Sequence, residues 1–221
     1  MKTITYSSYE EYVKVQTERN KEKLGAVFAT DTELLNITGY IKKNMPDASF
    51  GICHGVRNGY EVIKLREFLN IEVIGTEISE TADKFPHVIQ WDFHEVKDEW
   101  VGNCDFIYSN SWDHSYDFKK ALDGWMSCLK SNGRLFLTYS ETHNEESVKG
   151  ADCFGATVGE MVRLISENYY LEEIIPSYNF FAPEDKIYKI ILRTIKHRRI
   201  IPTGIPVFTL VVSGKQPDSQ C

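Results

Sequence analysis

The chain has 221 residues, of which 42% are hydrophobic, and it carries a formal net charge of −7. A chain of this length can bury one sizeable core, so we expect a single domain over residues 1–221. The negative charge gives no general attraction to phosphate backbones, which makes nucleic acid an unfavoured partner. The basic cluster Lys196–Arg199 is short and is typical of a solvated turn.

Hydropathy and cysteine usage point to a cytoplasmic protein without a membrane partner. No apolar run reaches the roughly 20 residues needed to cross a bilayer, and the segment MKTITYSSYEEYVKV lacks the apolar region of a signal peptide. The five cysteines are scattered and form no Cys-x-x-Cys pair. This pattern favours reduced thiols over disulfides or structural zinc.

The chain begins with two predicted helices, which form an N-terminal helical segment at about residues 7–45. The first, Ser7–Leu24, is rich in charge and is capped by Ser7 or Ser8, with Glu10 or Glu11 facing back toward the cap. We expect this helix to lie across the sheet edge or the active site. The second predicted helix is Asp31–Asn44.

Short β-rich runs then alternate with segments of helical period, as in a parallel sheet wrapped by helices. An Asn132-Gly133 pair is expected to end the helix that precedes the fifth strand. The segment Tyr188–Arg198 fits neither period and is left unassigned. The predicted helices are Gly59–Leu69, Phe118–Lys130 and Val158–Asn168, and the predicted strands are Ala48–Cys53, Glu72–Thr76, His87–Gln90, Asp105–Ser109, Arg134–Tyr139, Leu171–Ile175 and Val207–Ser213.

The turn after the first of these strands contains two glycines, Gly55 and Gly59, that permit close approach of a ligand to the backbone. Such a pair is also common in simple turns, so the next strand decides between the two interpretations. Glu77 lies 22 residues after Gly55, at the carboxyl end of that next strand. A carboxylate there can accept hydrogen bonds from both hydroxyls of a ribose, which favours a nucleotide-type cofactor.

Polar residues also follow the third and fourth strands. Asp92 comes just after the third strand, and Ser109, Asn110 and Ser111 lie at the end of the fourth. Open α/β sheets bind ligands at the carboxyl ends of their strands. The agreement among four strands therefore predicts a cofactor site along one edge of the sheet.

From about Ala48 to Asn144 the sequence resembles the class I S-adenosyl-L-methionine-dependent methyltransferases. The most specific part is FIYSNSWDHSYDFKKALDGWMSCLKSNGRLFLTYSETH, which looks like the fourth motif, the following helix and the fifth motif of that family. The resemblance implies an α/β, Rossmann-like sheet of seven strands, mostly parallel with an antiparallel last strand in PVFTLVVSGK, and helices on both faces. It places the cofactor-binding core at about residues 48–144.

The family analogy also implies roles for individual residues. Gly55 and Gly59 would approach the methionine part of the cofactor, Glu77 the ribose, and Asp92 with the Phe93 backbone the adenine. The full expected cofactor set is His54, Gly55, Arg57, Gly59, Glu61, Glu77, Ile78, Asp92, Phe93, Ser109, Asn110 and Ser111.

The loop departs from the family pattern in two ways. Cys53 stands where the family usually has an acidic residue, and the loop reads G-V-R-N-G in place of G-x-G-x-G. By the same analogy, Arg57 would meet the cofactor carboxylate and Glu61 its amino group. A nicotinamide-dependent oxidoreductase would share the ribose carboxylate, but the G-x-G-x-x-G spacing is missing and a D-H-S-Y-D segment follows the fourth strand.

The acceptor is expected to be a hydroxyl on a sugar, a glycan or another small molecule. The sequence lacks the N-P-P-Y type stretch that the family associates with amino methylation of bases, and SNSW stands in its place. A regulator without turnover and a protein methyltransferase remain alternatives, and a homo-oligomer is left open.

Candidate catalytic residues follow the fourth and fifth strands. An alcohol acceptor benefits from a general base, and histidine suits proton removal near neutral pH. We expect at least one of His114 and His143 to remove the proton, with Asp113 and Glu141 as their respective carboxylate neighbours. The Asp113-His114 pair is alternatively a structural element.

Asp113, Glu141 and His143 are alternatively ligands for a divalent cation, magnesium or manganese, because DHSYD also resembles a segment of magnesium-dependent sugar O-methyltransferases. The same residues could equally be solvated loop charges.

A loop with Gly150, Gly155 and Gly159 is expected to close over the acceptor, with Asp152 and Phe154 facing it, unless it is a simple connector. Aromatic residues available for stacking on a sugar or ring are Trp112, Tyr116, Tyr178, Phe180 and Phe181.

Overall fold

The computed structural model describes residues 1–178 and 206–214. The helices are α1 Tyr9–Glu22, α2 Asp31–Asn44, α3 Tyr60–Leu69, α4 Phe118–Cys128 and α5 Val158–Asn168. The strands are β1 Lys2–Thr3, β2 Phe50–His54, β3 Glu72–Glu77, β4 Val88–Gln90, β5 Cys104–Ser109, β6 Leu129–Ser140, β7 Phe154–Gly155, β8 Tyr170–Tyr178 and β9 Pro206–Ser213. The cluster Lys196–Arg199, the segment Tyr188–Arg198 and residues Phe180 and Phe181 lie outside the described residues.

Seven strands form the main sheet in the order β4-β3-β2-β5-β6-β9-β8. Strands β2 to β6 pair in parallel, whereas β9 runs antiparallel to both β6 and β8. The predicted seven-stranded sheet with an antiparallel last strand is therefore confirmed. Because β2, β3, β5 and β6 are parallel, their carboxyl ends meet at one edge of the sheet.

Successive side chains of a strand point to opposite faces of the sheet, so each face has its own hydrophobic core. In β6, Leu135 and Leu137 belong to the core beneath α4 and α5, while Phe136 between them belongs to the core beneath α2 and α3. The expected arrangement of helices on both faces is confirmed. Among the described residues, no helix combines the length and apolar character needed to cross a membrane.

Helix α1 packs differently, because the residues that it buries include polar side chains. Ser8 caps the helix by accepting a hydrogen bond from Glu11 N at 3.2 Å, as predicted. The buried residues are Tyr12, Gln16 and Asn20, which recur at a spacing of four and therefore share one helix face. This face lies against the carboxyl edge of the sheet, in agreement with the expectation for the first helix.

The predicted end of the helix before the fifth strand was wrong. Helix α4 ends at Cys128, and β6 starts at Leu129 and passes through the Asn132-Gly133 pair. A Cβ on Gly133 would lie 3.0 Å from the carbonyl oxygens of Cys104 and Asp105. Glycine is thus required there by close approach to β5, at the irregularity in the β5–β6 register, and not by a helix end.

A small second sheet was not predicted. Strand β1 pairs antiparallel with β7, so Lys2 lies opposite Gly155. Strands of two residues carry no detectable period in a sequence. This pairing ties the start of the chain to the loop that follows β6.

Asp105 fastens the amino ends of two strands to each other. Its carboxylate accepts hydrogen bonds from the backbone N–H groups of Ser49 and Phe50 at 2.9 and 3.0 Å, and from Lys130 Nζ at 2.8 Å. Burial raises the pKa of Asp105, but the hydrogen bonds from Lys130, Ser49 and Phe50 outweigh it and leave the pKa below its ordinary value. Ionised Asp105 therefore stabilises the start of β2.

We expect Asp105→Ala to lower the free energy of unfolding by about 1 kcal/mol, because two partly buried backbone donors and Lys130 lose their acceptor. Urea denaturation followed by circular dichroism measures the change, with the exposed Asp47→Ala as control. The contribution of Asp105 is present above the pKa of an unfolded aspartate and is lost as the pH falls through the lower folded value. Equal stability of the two variants at pH 7 would contradict this role.

Candidate functional site

A cleft lies along the carboxyl edge of the main sheet and has two adjacent lobes. A wide lobe of about 280 Å³ and a narrow lobe of about 40 Å³ share Arg19, Gly55, Arg57, Ser111 and His114. The narrow lobe is also lined by Gln16, Asn20, Glu77, Ile78 and Phe93. The wide lobe is also lined by Lys23, Ala26, Phe28, Val56, Asn58, Glu61, Asn110, Asp113, Thr138, Ser140, Thr142, His143, Asp152 and Val207.

The loop between β2 and α3 forms the floor shared by both lobes. Gly55, Arg57 and Gly59 have positive φ angles of 73°, 48° and 73°. A Cβ on Gly55 would lie 2.7 Å from Ser111 Cβ, so a side chain at this position would collide with the end of β5. The sequence needs glycine here both for its backbone conformation and for its small size.

Glu77 lies at the end of β3 and its carboxylate is directed at this loop. It accepts hydrogen bonds from Arg57 N at 2.9 Å and from Ser79 N at 3.2 Å. Burial raises the pKa of Glu77, an effect opposed by these two hydrogen bonds. The structure thus places Glu77 at the narrow lobe, as the spacing from Gly55 predicted.

Glu61, in the first turn of α3, brings a second buried carboxylate to the wide lobe. Oε1 accepts a hydrogen bond from Asn110 Nδ2 at 3.2 Å, and Oε2 has no hydrogen-bond partner in the described parts of the chain. Burial raises the pKa of Glu61 to about 7. An oxygen that is buried and unpaired at a cavity wall can accept a hydrogen bond from a ligand.

Cationic side chains gather where α1 and the loop after it cover the cleft. The guanidinium carbon of Arg57 lies 4.8 Å from the Phe28 ring centroid, and Lys23 Nζ lies 5.6 Å from the same centroid. Burial lowers the pKa of Arg57, and its Nε has no hydrogen-bond partner within residues 1–178 and 206–214. Together with Arg19, these groups provide positive charge for an anionic part of a ligand.

The serines at the end of β5 mainly hold the backbone of the cleft. Ser109 Oγ donates to the carbonyl of His54 at 3.2 Å, and Ser111 Oγ donates to the carbonyl of Gly55 at 3.0 Å. Of the three polar residues predicted there, Asn110 and Ser111 line the wide lobe, while Ser109 is buried behind them.

Four expected cofactor residues line neither lobe: Ser109, Gly59, His54 and Asp92. The His54 ring is buried, stacks on Trp125 at 5.1 Å and bonds to Thr76 Oγ1 through Nδ1 at 2.8 Å. Burial lowers the pKa of His54 to about 3, so this imidazole is a neutral core group. Only the backbone of His54 reaches the start of the loop.

Asp92 is engaged by other protein groups. Its Oδ1 accepts hydrogen bonds from the backbone N–H and Nδ1 of His94 at 2.9 and 2.8 Å, and its Oδ2 accepts one from Tyr9 of α1 at 2.5 Å. Burial raises the pKa of Asp92, but the hydrogen bonds from His94 and Tyr9 bring it below its ordinary value. The carboxylate expected at the adenine therefore also anchors α1, while Phe93 and Ile78 line the narrow lobe.

His114 projects into the cleft from the turn after β5. Its Nδ1 lies 3.0 Å from both Gln16 Oε1 and the carbonyl oxygen of Ala151. A carbonyl oxygen can only accept, so Nδ1 carries the proton and Nε2 presents its lone pair. Nε2 lies 3.6 Å from Asp152 Oδ1.

His143 has the opposite tautomer. Its Nδ1 accepts a hydrogen bond from Ser140 N at 2.9 Å, a shorter contact than the 3.3 Å to the Ser140 carbonyl oxygen, which places the proton of the neutral ring on Nε2. That nitrogen lies 3.9 Å from Asp113 Oδ1, and the ring stacks on Trp112 at 5.0 Å. Nε2 of His143 therefore faces the Asp113 carboxylate at a distance too long for a hydrogen bond.

Each histidine faces a carboxylate that is not its expected partner. Asp152 faces Nε2 of His114, and Asp113 faces His143. Asp113 lies near both histidines, since its ligand atom is also within 4.8 Å of that of His114. The side chain of Glu141 lies outside what the structure describes.

Asp113, His114 and Asp152 offer ligand atoms that all lie within 4.8 Å of one another. Oδ1 of Asp113 has no hydrogen-bond partner in the described ranges of the chain. Oxygen and imidazole ligands at this separation are suited to a divalent cation. The donor set differs from the predicted one, which contained Glu141 and His143.

Of the expected aromatic residues, Trp112 and Tyr116 are described with their side chains, and neither lines the cleft. Trp112 is fully buried and donates from Nε1 to the Thr138 carbonyl at 2.6 Å, while Tyr116 packs on His94 with ring centroids 4.0 Å apart. Phe154 is buried in β7, although Asp152 of the same loop lines the wide lobe as expected. The side chain of Tyr178 is outside the described part of the structure.

Gln16, Arg19 and Asn20 of α1 line the cleft and were not predicted as site residues. The signal that identifies them is the recurrence of Tyr12, Gln16 and Asn20 at a spacing of four. Polar residues here occupy the positions where a helix packed on a hydrophobic core would carry an apolar stripe.

No protein-family model and no curated protein matches the sequence. Among solved structures, the fold is similar to a 1,6-didemethyltoxoflavin-N1-methyltransferase from Burkholderia thailandensis bound to S-adenosylhomocysteine, with a TM-score of 0.65 and 10% identity over 96% of this chain and 93% of that one.

Two further structures show the same similarity. A geranyl diphosphate C-methyltransferase from Streptomyces coelicolor has a TM-score of 0.60 at 10% identity, over 96% of this chain and 100% of that one. A TehB-like methyltransferase from Corynebacterium glutamicum has a TM-score of 0.55 at 14% identity, over 92% and 98% of the two chains. This chain therefore has the fold of the class I S-adenosylmethionine-dependent methyltransferases.

Proposed function

We propose that the protein transfers a methyl group from S-adenosylmethionine to a hydroxyl of a sugar, a glycan or another small molecule. The observation that carries the proposal is that the two lobes share five lining residues, His114 among them. Buried Glu77 lies at one end of this cleft, and the Nε2 lone pair of His114 lies where the two lobes meet. A carboxylate suited to a ribose and a proton acceptor thus lie in adjacent lobes.

The residues that line the narrow lobe are suited to the nucleoside part of the cofactor, which is larger than the 40 Å³ of the lobe and requires α1 to move. Glu77 would accept hydrogen bonds from the ribose hydroxyls, and Ile78 and Phe93 would pack against the adenine. The wide lobe is suited to the amino acid part. There the unpaired Oε2 of Glu61 would accept from the amino group, and Arg57 would bind the carboxylate.

Bound S-adenosylmethionine supplies a methyl group made electrophilic by its sulfonium. His114 Nε2 would accept the acceptor hydroxyl proton as the oxygen attacks the methyl carbon; the carbon–sulfur bond breaks and its electron pair stays on sulfur. Asp152 then stabilises the imidazolium, and the cleft aligns the two reactants. We assign the base to His114 and not to His143, because Nδ1 of His143 already accepts a hydrogen bond from Ser140 N.

The lining of the wide lobe supports a small polar acceptor. Ser140, Thr142, His143 and Asp152 provide hydrogen-bonding groups beside His114, and Val207 adds an apolar contact. Hydroxyl and carboxylate groups of this kind recognise the hydroxyls of a sugar or of a small alcohol. We place the reaction in the cytoplasm because the net charge and reduced thiols fit an intracellular enzyme.

A divalent cation is a second candidate for activating the acceptor. Asp113, His114 and Asp152 would hold magnesium or manganese, which would lower the pKa of a coordinated hydroxyl. In that case His114 would act as a ligand and not as a base. The unpaired Oδ1 of Asp113 favours this alternative, and chelation distinguishes the two mechanisms.

We expect the protein to bind S-adenosylhomocysteine, and Glu77→Gln to weaken binding by about 10- to 100-fold, because a neutral amide loses the charge-assisted hydrogen bonds to the ribose. Isothermal titration calorimetry gives the affinities. Glu80→Gln, an exposed change three residues away, serves as the matched control. Absence of binding to the unchanged protein, or binding of NAD in its place, would refute the proposed function.

Cofactor binding should depend on pH through Glu61. A bound ammonium group favours the ionised carboxylate, whose pKa is raised by burial to about 7. Affinity for S-adenosylhomocysteine should fall about tenfold between pH 8 and pH 6, since Glu61 becomes protonated over this interval. Calorimetry on Glu61→Gln should show weak binding that no longer changes with pH; a variant that keeps the full dependence would exclude Glu61.

Turnover on a panel of glycans, small alcohols, acids and peptides identifies the acceptor and separates an enzyme from a cofactor-binding regulator or a protein methyltransferase. With that acceptor, His114→Gln should lower kcat by about 10²- to 10⁴-fold while the affinity for S-adenosylhomocysteine hardly changes. His143→Gln should have a smaller effect, because its Nδ1 is already an acceptor for Ser140 N.

Chelation provides the companion experiment. If His114 is the base, EDTA leaves kcat unchanged. If a cation activates the hydroxyl, EDTA abolishes turnover, magnesium or manganese restores it, and Asp113→Asn is as damaging as His114→Gln. Full activity of His114→Gln combined with insensitivity to EDTA would show that both assignments are wrong.

A further inference from the structure

The face of α1 that covers the cleft is joined to it by polar contacts. Tyr9 bonds to Asp92, Tyr12 Oη donates to the His114 carbonyl at 3.2 Å, and Asn20 Oδ1 accepts from Thr81 Oγ1 at 2.8 Å. Polar contacts of this kind can be exchanged for water at a smaller cost than a packed apolar face. Because Gln16, Arg19 and Asn20 form one wall of the narrow lobe, α1 covers the place of the ribose.

Gln16 stands at the centre of this face and is only 7% exposed. Its Nε2 donates to the Ala151 carbonyl at 2.8 Å, which directs its Oε1 toward His114 Nδ1 at 3.0 Å. The amide therefore connects three elements: helix α1, the turn after β5 and the loop that carries Asp152. Both side-chain groups of Gln16 are used, one for the loop and one for the imidazole.

We propose that Gln16 is a positioning residue for His114: with Ala151 it keeps the proton on Nδ1 and directs the Nε2 lone pair into the wide lobe. Because Gln16 belongs to α1, this arrangement is complete only when α1 lies over the cleft. Docking of α1 on a bound cofactor and assembly of the base are then the same event. The inference rests on the proposed role of His114, and it adds a reason why the covering helix is polar.

The test compares two variants of Gln16 that differ in hydrogen bonding more than in size. Gln16→Met keeps the volume and removes the acceptor, whereas Gln16→Glu keeps an oxygen acceptor at the same reach. Long-range ¹H–¹⁵N spectra report which imidazole nitrogen carries the proton, and His114→Gln identifies the His114 signals by their loss. Lys14→Ala, on the exposed face of α1, is the control.

With saturating S-adenosylhomocysteine, the unchanged protein, Lys14→Ala and Gln16→Glu should show His114 protonated on Nδ1. Gln16→Met should show a mixture of tautomers or an exchange-broadened signal, and its kcat should fall at least tenfold with no matching change in KM. A single Nδ1-protonated state in Gln16→Met would overturn the proposal, as would mixed tautomers in Gln16→Glu.

The spectra separate failure of this inference from failure of the proposed function. The protonated nitrogen is observed whether or not an acceptor is turned over, and it can be measured without ligand if S-adenosylhomocysteine does not bind. Circular dichroism on Gln16→Met confirms that the fold is retained. A purely structural role for Gln16 would lower stability equally in the Met and Glu variants without changing the His114 tautomer.

Discussion

The hydrogen bond from Arg57 N to the buried Glu77 carboxylate is the contact on which the cleft depends. It ties the end of β3 to the loop after β2 and fixes that loop in a conformation with positive φ at Gly55, Arg57 and Gly59. Ser111, which follows β5, donates a hydrogen bond to the Gly55 carbonyl of the same loop. The ends of β2, β3 and β5 are therefore held in one arrangement. Both lobes of the cleft are built on this loop.

Without a ligand, the polar groups buried in the cleft destabilise the folded protein. Burial raises the pKa of both Glu61 and Glu77, and Arg57 holds a buried guanidinium nitrogen without a partner among the described residues. Buried polar groups without hydrogen-bond partners destabilise a fold unless a ligand supplies those partners. A ribose, an ammonium group and a carboxylate on one molecule would satisfy all three side chains, so the local cost and the proposed cofactor explain each other.

The sheet and the residues at its carboxyl edge could be predicted from the sequence, because chain order and alternation place Gly55, Glu77 and Asn110 at neighbouring strand ends. The contacts across the cleft could not. Pairing of Asp152 with His114 depends on the path of a loop that begins beyond β6, and the Gln16 contact depends on where α1 docks. At Gly133 a local signal was misinterpreted: the glycine was predicted to end a helix, but it is required because β6 packs closely against β5 there.

The central claim is that one molecule occupies both lobes, with its nucleoside at Glu77 and its amino acid at Glu61. A crystal structure of the protein with S-adenosylhomocysteine tests it most directly. The account predicts ribose hydroxyls within hydrogen-bonding distance of Glu77, the amino group on Glu61, the carboxylate at Arg57 and the sulfur facing His114. Density for the ligand at another surface, or a cleft that stays empty at millimolar ligand, would contradict the account.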